Sequence, residues 1–292
     1  MAATLRALAL FRRALARSLE DDVFGVAKAA AYSAILTLFP ALLVLASILA
    51  YTHLTEAFLK QASFALGRVL PGGTSAAALR YFTGPQQRPM RLLVTTSIIT
   101  LWTASGVVMS WMEGFRYAYQ LPASWGLIKS RLIALALVVG ALAPMTFATL
   151  LVAFGGQIEA WVVLHSTRVL GPYILLAWTG VRSVIATLTS IAVIAVIYHF
   201  AVPRTQPWHS VLPGATLATG MWLGATILFG WYLNHVAQYS LIYGSLGVAI
   251  ALLVWMYIVS LIILFGAEVN ALLFPRATNA GSMTGEGGHQ LH

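Results

Sequence analysis

The residues of this 292-residue chain that could do acid–base or metal chemistry are few and scattered. Eight acids include only two aspartates, the adjacent pair Asp21 and Asp22. Seven histidines, at positions 53, 165, 199, 209, 235, 289 and 292, show neither the His-x-His nor the His-Glu-x-x-His spacing that brings two imidazoles to one metal. His199, His209 and His235 therefore read as hydrogen-bonded packing groups. There is no cysteine, which removes disulfides, thiolate metal sites and Cys nucleophiles together. No glycine loop ending in Gly-Lys-Ser/Thr and no Gly-x-Ser-x-Gly elbow occurs, and a two-metal nuclease lacks its cluster of acids. No metal, cofactor or catalytic residue is expected. What stands out instead is a set of isolated polar groups in apolar surroundings: Glu113, Arg182, Glu268, and the run Tyr239-Ser-Leu-Ile-Tyr243-Gly244-Ser245-Leu-Gly247.

The elements that must position these groups are membrane helices. The chain is 60% hydrophobic and 9% charged, with a mean hydropathy of +0.84, whereas a water-soluble domain carries about a quarter of its residues as charges. A spanning helix needs about 20 apolar residues to cross the hydrocarbon layer. Six runs of that size occur, at about 29–51, 92–112, 132–154, 183–202, 211–233 and 246–274. They are continuous, without alternation, so the fold class is an all-α integral membrane protein, a bundle of six transmembrane helices, and not a β-barrel. Residues 1–275 form a single domain, and the Gly-rich end, 276–292, reads as a disordered tail. The first apolar run reads as a span rather than a secretory signal.

Counting Lys and Arg in the flanks orients the bundle. With the N-terminus cytoplasmic, ten basic residues lie inside and seven outside, which places both termini in the cytoplasm. Before the first span, Leu8, Phe11, Leu15 and Leu19 recur at helical spacing, opposite Arg6, Arg13 and Arg17. This predicts an amphipathic helix in the anionic lipid interface; membrane lipids are its expected partners and no nucleic acid is expected. Leu54 to Val69 repeats the pattern and predicts an outer capping helix, ending at Pro71-Gly72-Gly73.

The apolar stretch 169–202 is interrupted by Gly180 and Arg182 and predicts a break. Either Arg182 anchors at the outer interface a span beginning at Ser183, with the preceding segment lying flat, or it sits inside the bundle with Glu113 and Glu268 as partners. Pro40 and Pro144 are hinge candidates that packing explains as well. Pro213 is expected in the first turn of its span, where a missing N–H costs little. Gly220 and Gly224 form a small-xxx-small pair suited to close helix packing, within the bundle or in a homo-oligomer.

The motifs resemble a known family. Ala29-Ala-Ala-Tyr-Ser-Ala-Ile-Leu-Thr-Leu-Phe-Pro40, Ser110-Trp-Met-Glu-Gly-Phe-Arg-Tyr-Ala-Tyr119, Val211-Leu-Pro-Gly-Ala215, and Tyr239 to Gly247 followed by Phe265-Gly-Ala-Glu-Val-Asn270 occur in order. In these the chain is similar to the YihY/virulence factor BrkB family of bacterial inner-membrane proteins, once labelled ribonuclease BN. The resemblance implies a six-helix protein of the bacterial cytoplasmic membrane with no established reaction. A ribonuclease would need an exposed basic platform and a metal or acid–base site, which the short cytoplasmic loops do not offer.

The reading that follows is a non-enzymatic, transporter-like or envelope-related protein handling a lipid or other amphipathic anion among spans four, five and six. Tyr239, Tyr243 and Ser245 would offer hydroxyls, Gly244 and Gly247 close backbone approach, and Arg182 a partner for the anionic group. Glu113 and Glu268 would pair with arginines or carry protons. The alternative is a membrane scaffold that recruits envelope partners.

Overall fold

A computed structural model describes residues 2–51, 90–121, 125–165, 171–203, 207–235 and 245–275. The predicted outer capping helix, the Tyr239–Gly244 part of the outer loop and the C-terminal tail lie outside the described residues. Among these residues there are seven α-helices and no strand: α1 (Ala2–Glu20), α2 (Val23–Tyr51), α3 (Met90–Ala118), α4 (Leu127–His165), α5 (Gly171–Phe200), α6 (Trp208–His235) and α7 (Ser245–Leu273). Helices α2 to α7 are each long and apolar enough to span a membrane. Each packs on its chain neighbour where both are described, and α7 closes the bundle against α2 and α3 while α1 lies along α7.

The outside of this bundle is the reverse of a soluble protein's. Leu176, Ile227, Leu228 and Trp231 are among many large apolar side chains left exposed, while the buried positions are rich in alanine, as at Ala30, Ala134, Ala215 and Ala267. Lipid is as apolar as leucine, so burying leucine gains little and close packing of small residues gains more. Hydroxyls in the spans bond carbonyls of their own helix, Thr37 to Ser33 at 2.8 Å, Thr149 to Met145 at 2.8 Å and Thr187 to Ser183 at 2.8 Å. Each thereby satisfies a polar group without water.

Local chemistry sets the helix ends. In the α1–α2 turn Asp22 takes a positive φ of 49°, and its Oδ1 accepts the Gly25 N–H at 3.2 Å, capping α2. Gln120, also at positive φ, ends α3: the Leu121 N–H returns to the Arg116 carbonyl and the Gln120 N–H to that of Tyr117, the Schellman arrangement.

Two expectations are corrected here. The predicted break at Gly180 and Arg182 does not occur, and α5 is one helix whose apolar span runs Ile174–Phe200, not from Ser183. In lipid every backbone N–H needs a partner, so one glycine inside an apolar stretch does not outweigh continuous helix bonding. Pro213 is not in a first turn, because α6 begins at Trp208 and places it within the helix. Helices α2 and α4 continue through Pro40 and Pro144.

Helix α1 has three faces where the periodicity showed two. Its docking face is Ala14 and Ser18, both buried, with Ala14 packed among Leu10, Leu217, Phe265 and Val269. The predicted apolar face, at Phe11, Leu15 and Leu19, stays exposed, Leu19 at 66%, as an interfacial helix beside a bundle requires. Arg13 is exposed, Arg17 is half-buried, and Arg6 lies in the first two turns of the helix.

Candidate functional site

The densest polar chemistry lies where α5 ends, α6 begins and α7 approaches its C-terminus. Gly214 of α6 and Gly266 of α7 face each other with backbones in near contact: a Cβ on Gly214 would collide with the Gly266 carbonyl and the Asn270 side chain. A Cβ on Gly266 would collide with the Tyr198 hydroxyl and lie 2.8 Å from the Gly214 carbonyl. Only hydrogen fits at either position. Asn270, fully buried, then spans the gap, its Oδ1 accepting the Gly214 N–H at 2.6 Å and its Nδ2 donating to the Val211 carbonyl at 3.0 Å. These are backbone groups of the turn that Pro213 disturbs, since its ring crowds the carbonyl four residues earlier and it has no N–H. From α5, the buried Tyr198 hydroxyl donates to the Ile263 carbonyl at 2.6 Å and its ring meets Phe115 edge-on at 5.3 Å. Tyr198→Phe should destabilise the protein by about 1–2 kcal/mol, the worth of one buried hydrogen bond, measured as a downward shift of the thermal transition in detergent.

Two residues before Asn270 on the same helix, Glu268 is fully buried, and neither carboxyl oxygen has a hydrogen-bond donor in place. It faces Asp21 of the α1–α2 turn, with Arg17 close by. Burial holds the Asp21 carboxyl above its ordinary range; the contact with Glu268 and the charge of Arg17 pull it partly back.

The predicted partners of Arg182 are not beside it. Arg182 precedes Tyr198 by sixteen residues on α5, about 24 Å at 1.5 Å per residue. Tyr198 is level with Phe115 and Gly266, so Glu113 and Glu268 belong to the opposite part of the span. Glu113 is exposed, accepts a 3.4 Å hydrogen bond from Tyr117 Oη, and shares a recess of about 210 Å³ with Arg116, Trp125 and Ser130. Ser245 opens α7 and Gly247 is buried. His199 stacks on Trp208 at 4.3 Å and His209 meets Phe274 edge-on at 5.7 Å, so both pack against aromatic rings, but the hydrogen bond expected of His199 is not made at its buried Nδ1. Gly220 and Gly224 would meet nothing if given a side chain, so packing within the described chain is not their reason.

One arginine reaches further into the bundle than its sequence position indicates. Arg131 lies in the second turn of α4, one of the basic residues that flank the spans on the inner side in the charge count. Its guanidinium reaches across to α3, stacking over Trp102 at 4.1 Å and donating to the Trp102 carbonyl at 3.1 Å. The charge is thereby carried on an aromatic face, and Nε is buried without a partner. The signal available was a long cationic side chain just inside an apolar run, which snorkelling explains equally well.

Beyond the glycine contact, α6 and α7 leave a cleft between them. It holds about 450 Å³ and is lined by Ala225, Phe229, Tyr232, Ile250, Ala251 and Val254 with their neighbours. Phe229, one of the lining residues, stacks on Trp255 of α7 at 5.1 Å.

These features define a polytopic helical membrane protein with a tightly sealed end and a cleft open between two spans. The family described as virulence factor BrkB matches residues 14–286, and the chain belongs to it. The ribonuclease-like protein YfkH of Bacillus subtilis is 29% identical over 251 residues, 84% of this chain and 88% of that protein. The UPF0761 membrane protein of Tolumonas auensis is 33% identical over 119 residues, 40% of this chain and 37% of its own length. The UPF0761 membrane protein RSc1559 of Ralstonia nicotianae is 24% identical over 275 residues, 91% of this chain and 58% of its own. The chain thus spans most of the Bacillus protein and less than two thirds of the other two. No solved structure matches it.

Proposed function

We propose that this protein is a non-enzymatic, transporter-like protein of the bacterial cytoplasmic membrane, both termini cytoplasmic, that admits the acyl chain of a lipid or other amphipathic anion between α6 and α7. The observation that carries this reading is the cleft of about 450 Å³, apolar apart from Tyr232 and bordered by spans whose outer faces meet lipid. Ile250, at its far end, precedes Gly266 by the same sixteen residues that separate Arg182 from Tyr198. Arg182 therefore lies at the depth of the cleft's outer end, suited to the anionic group of the same molecule. Helix α1, with its exposed apolar face, rests in the lipid interface.

Native mass spectrometry of protein released from its own membrane in mild detergent tests this. Wild type should retain a stoichiometric lipid, and Ala225→Trp and Ala251→Trp, which fill the cleft, should lose it while remaining helical. Arg182→Ala should lower anionic-lipid retention far more than it lowers folded protein; equal losses would remove Arg182 from the site. Diffuse lipid, unchanged across all variants, would overturn the cleft reading in favour of a membrane scaffold.

A further inference from the structure

Glu268 is a buried acceptor facing another acceptor. Two ionised carboxylates in this position repel each other and leave each other's lone pairs unsatisfied. A single proton between them turns one carboxyl into a donor and leaves one negative charge, which Arg17 offsets. A metal cation fits less well, since Arg17 would stand beside it and no third acid or histidine joins the pair among the described residues. We propose that Asp21 and Glu268 form a proton-binding dyad, holding one shared proton and thereby clamping the α1–α2 turn onto α7.

The surrounding packing makes the dyad a latch between elements rather than a contact within one. Helix α1 docks through small residues, Ala14 and Ser18, aided by the Phe11 and Phe265 rings at 5.2 Å, so its apolar contribution to docking is modest. The charged groups around the pair are Arg17 and Glu20 of α1. Helices α2, α3 and α6 add the uncharged Ala27, Phe115 and Ala215 to the adjoining core, and the titratable Tyr198 of α5 is already engaged with Ile263. Adjacent aspartates in the turn thus have separate tasks, Asp22 capping α2 and Asp21 meeting α7. The docked arrangement takes up the proton, so docking is strongest at low pH and weakens as pH rises through the dyad's titration. The elevated carboxyl of Asp21, caused chiefly by burial, has the same sign. The latch works whether or not the cleft holds a lipid.

The full-length protein in liposomes allows a direct test by infrared difference spectroscopy. Wild type should show a protonated-carboxyl C=O band that disappears as pH is raised, and that is missing from both Glu268→Gln and Asp21→Asn. The chain has no cysteine, so Ala14→Cys reports docking through its maleimide labelling rate, taken relative to the exposed Arg13→Cys. Between the undocked and the docked titration of the dyad this ratio should rise by about tenfold per pH unit, as a one-proton equilibrium requires, and it should level off once the docked pair has lost its proton. Adding Glu268→Gln, whose amide is a permanent donor, should keep the ratio low at every pH. No titrating carboxyl band in wild type, a band that survives Asp21→Asn, or a ratio that follows sodium instead of pH would each overturn the proposal. The wild-type spectrum and the turn variant Asp21→Asn keep the test decisive even where Glu268→Gln does not fold.

Discussion

Gly266→Ala and Gly214→Ala should each cost about 3 kcal/mol or more, at or beyond the upper end of what overpacking a core usually costs, and should sharply reduce the folded protein recovered from membranes. The reason is what the new methyl group meets. At Gly214 it is the carbonyl of Gly266 and the Asn270 side chain; at Gly266 it is the Tyr198 hydroxyl and the Gly214 backbone. Backbone cannot rotate aside as a flexible side chain does, so the two helices would have to separate and the Asn270 bridge would open with them. Gly220→Ala, on the same α6, is the control. It meets nothing, and alanine's better helix propensity, about 1 kcal/mol, favours it. Thermal unfolding of the three variants in one detergent checks this; a Gly266→Ala protein as stable as Gly220→Ala would mean that the close approach of α6 and α7 is wrong.

Asn270→Leu should destabilise by about 1–3 kcal/mol, because it leaves the buried Gly214 N–H without its side-chain acceptor and removes the donor that Asn270 offers the Val211 carbonyl. The volume is nearly conserved, so the loss is one of hydrogen bonding rather than of packing. A double-mutant cycle with Pro213→Ala isolates the cause. Alanine at 213 relieves the ring's crowding and restores an N–H to α6, letting the turn satisfy itself, and the cost of Asn270→Leu should then fall by more than half. An unchanged cost in that background would show that Asn270 does not serve the proline turn.

Gly214 and Asn270 also mark the boundary between what could be read along the chain and what could not. The motifs Val211 to Ala215 and Phe265 to Asn270 were visible as motifs, yet nothing in either says that they touch. Their contact joins residues more than fifty positions apart. Pro213 is instructive for the same reason: its tolerance depends on a side chain from another helix, and without Asn270 the sequence rule places it in a first turn. Glu268 was legible as an odd charge in a span, but arginines were the natural partners to expect, whereas the fold sets it against Asp21. Arg182 could be assigned a depth only after α5 was seen to be continuous. The dipole and hydrogen-bond preferences of the chain do not register such distances, because membrane helices are specified by length and apolarity alone.

By itself, then, the order of residues determined that this is a six-span helical membrane protein with an amphipathic N-terminal segment, since a bilayer admits only uninterrupted apolar helices of that length and a charge pattern shows at once on a helical wheel. The tertiary structure alone decided which faces meet. It chose Ala14 and Ser18 as the docking face of α1, brought Gly214 against Gly266, opened the cleft between α6 and α7, and paired Asp21 with Glu268. In lipid the large apolar side chains are indifferent between neighbour and solvent, so helix pairing rests on small residues and a few polar groups, whose complementarity exists only between helices and not along any one of them.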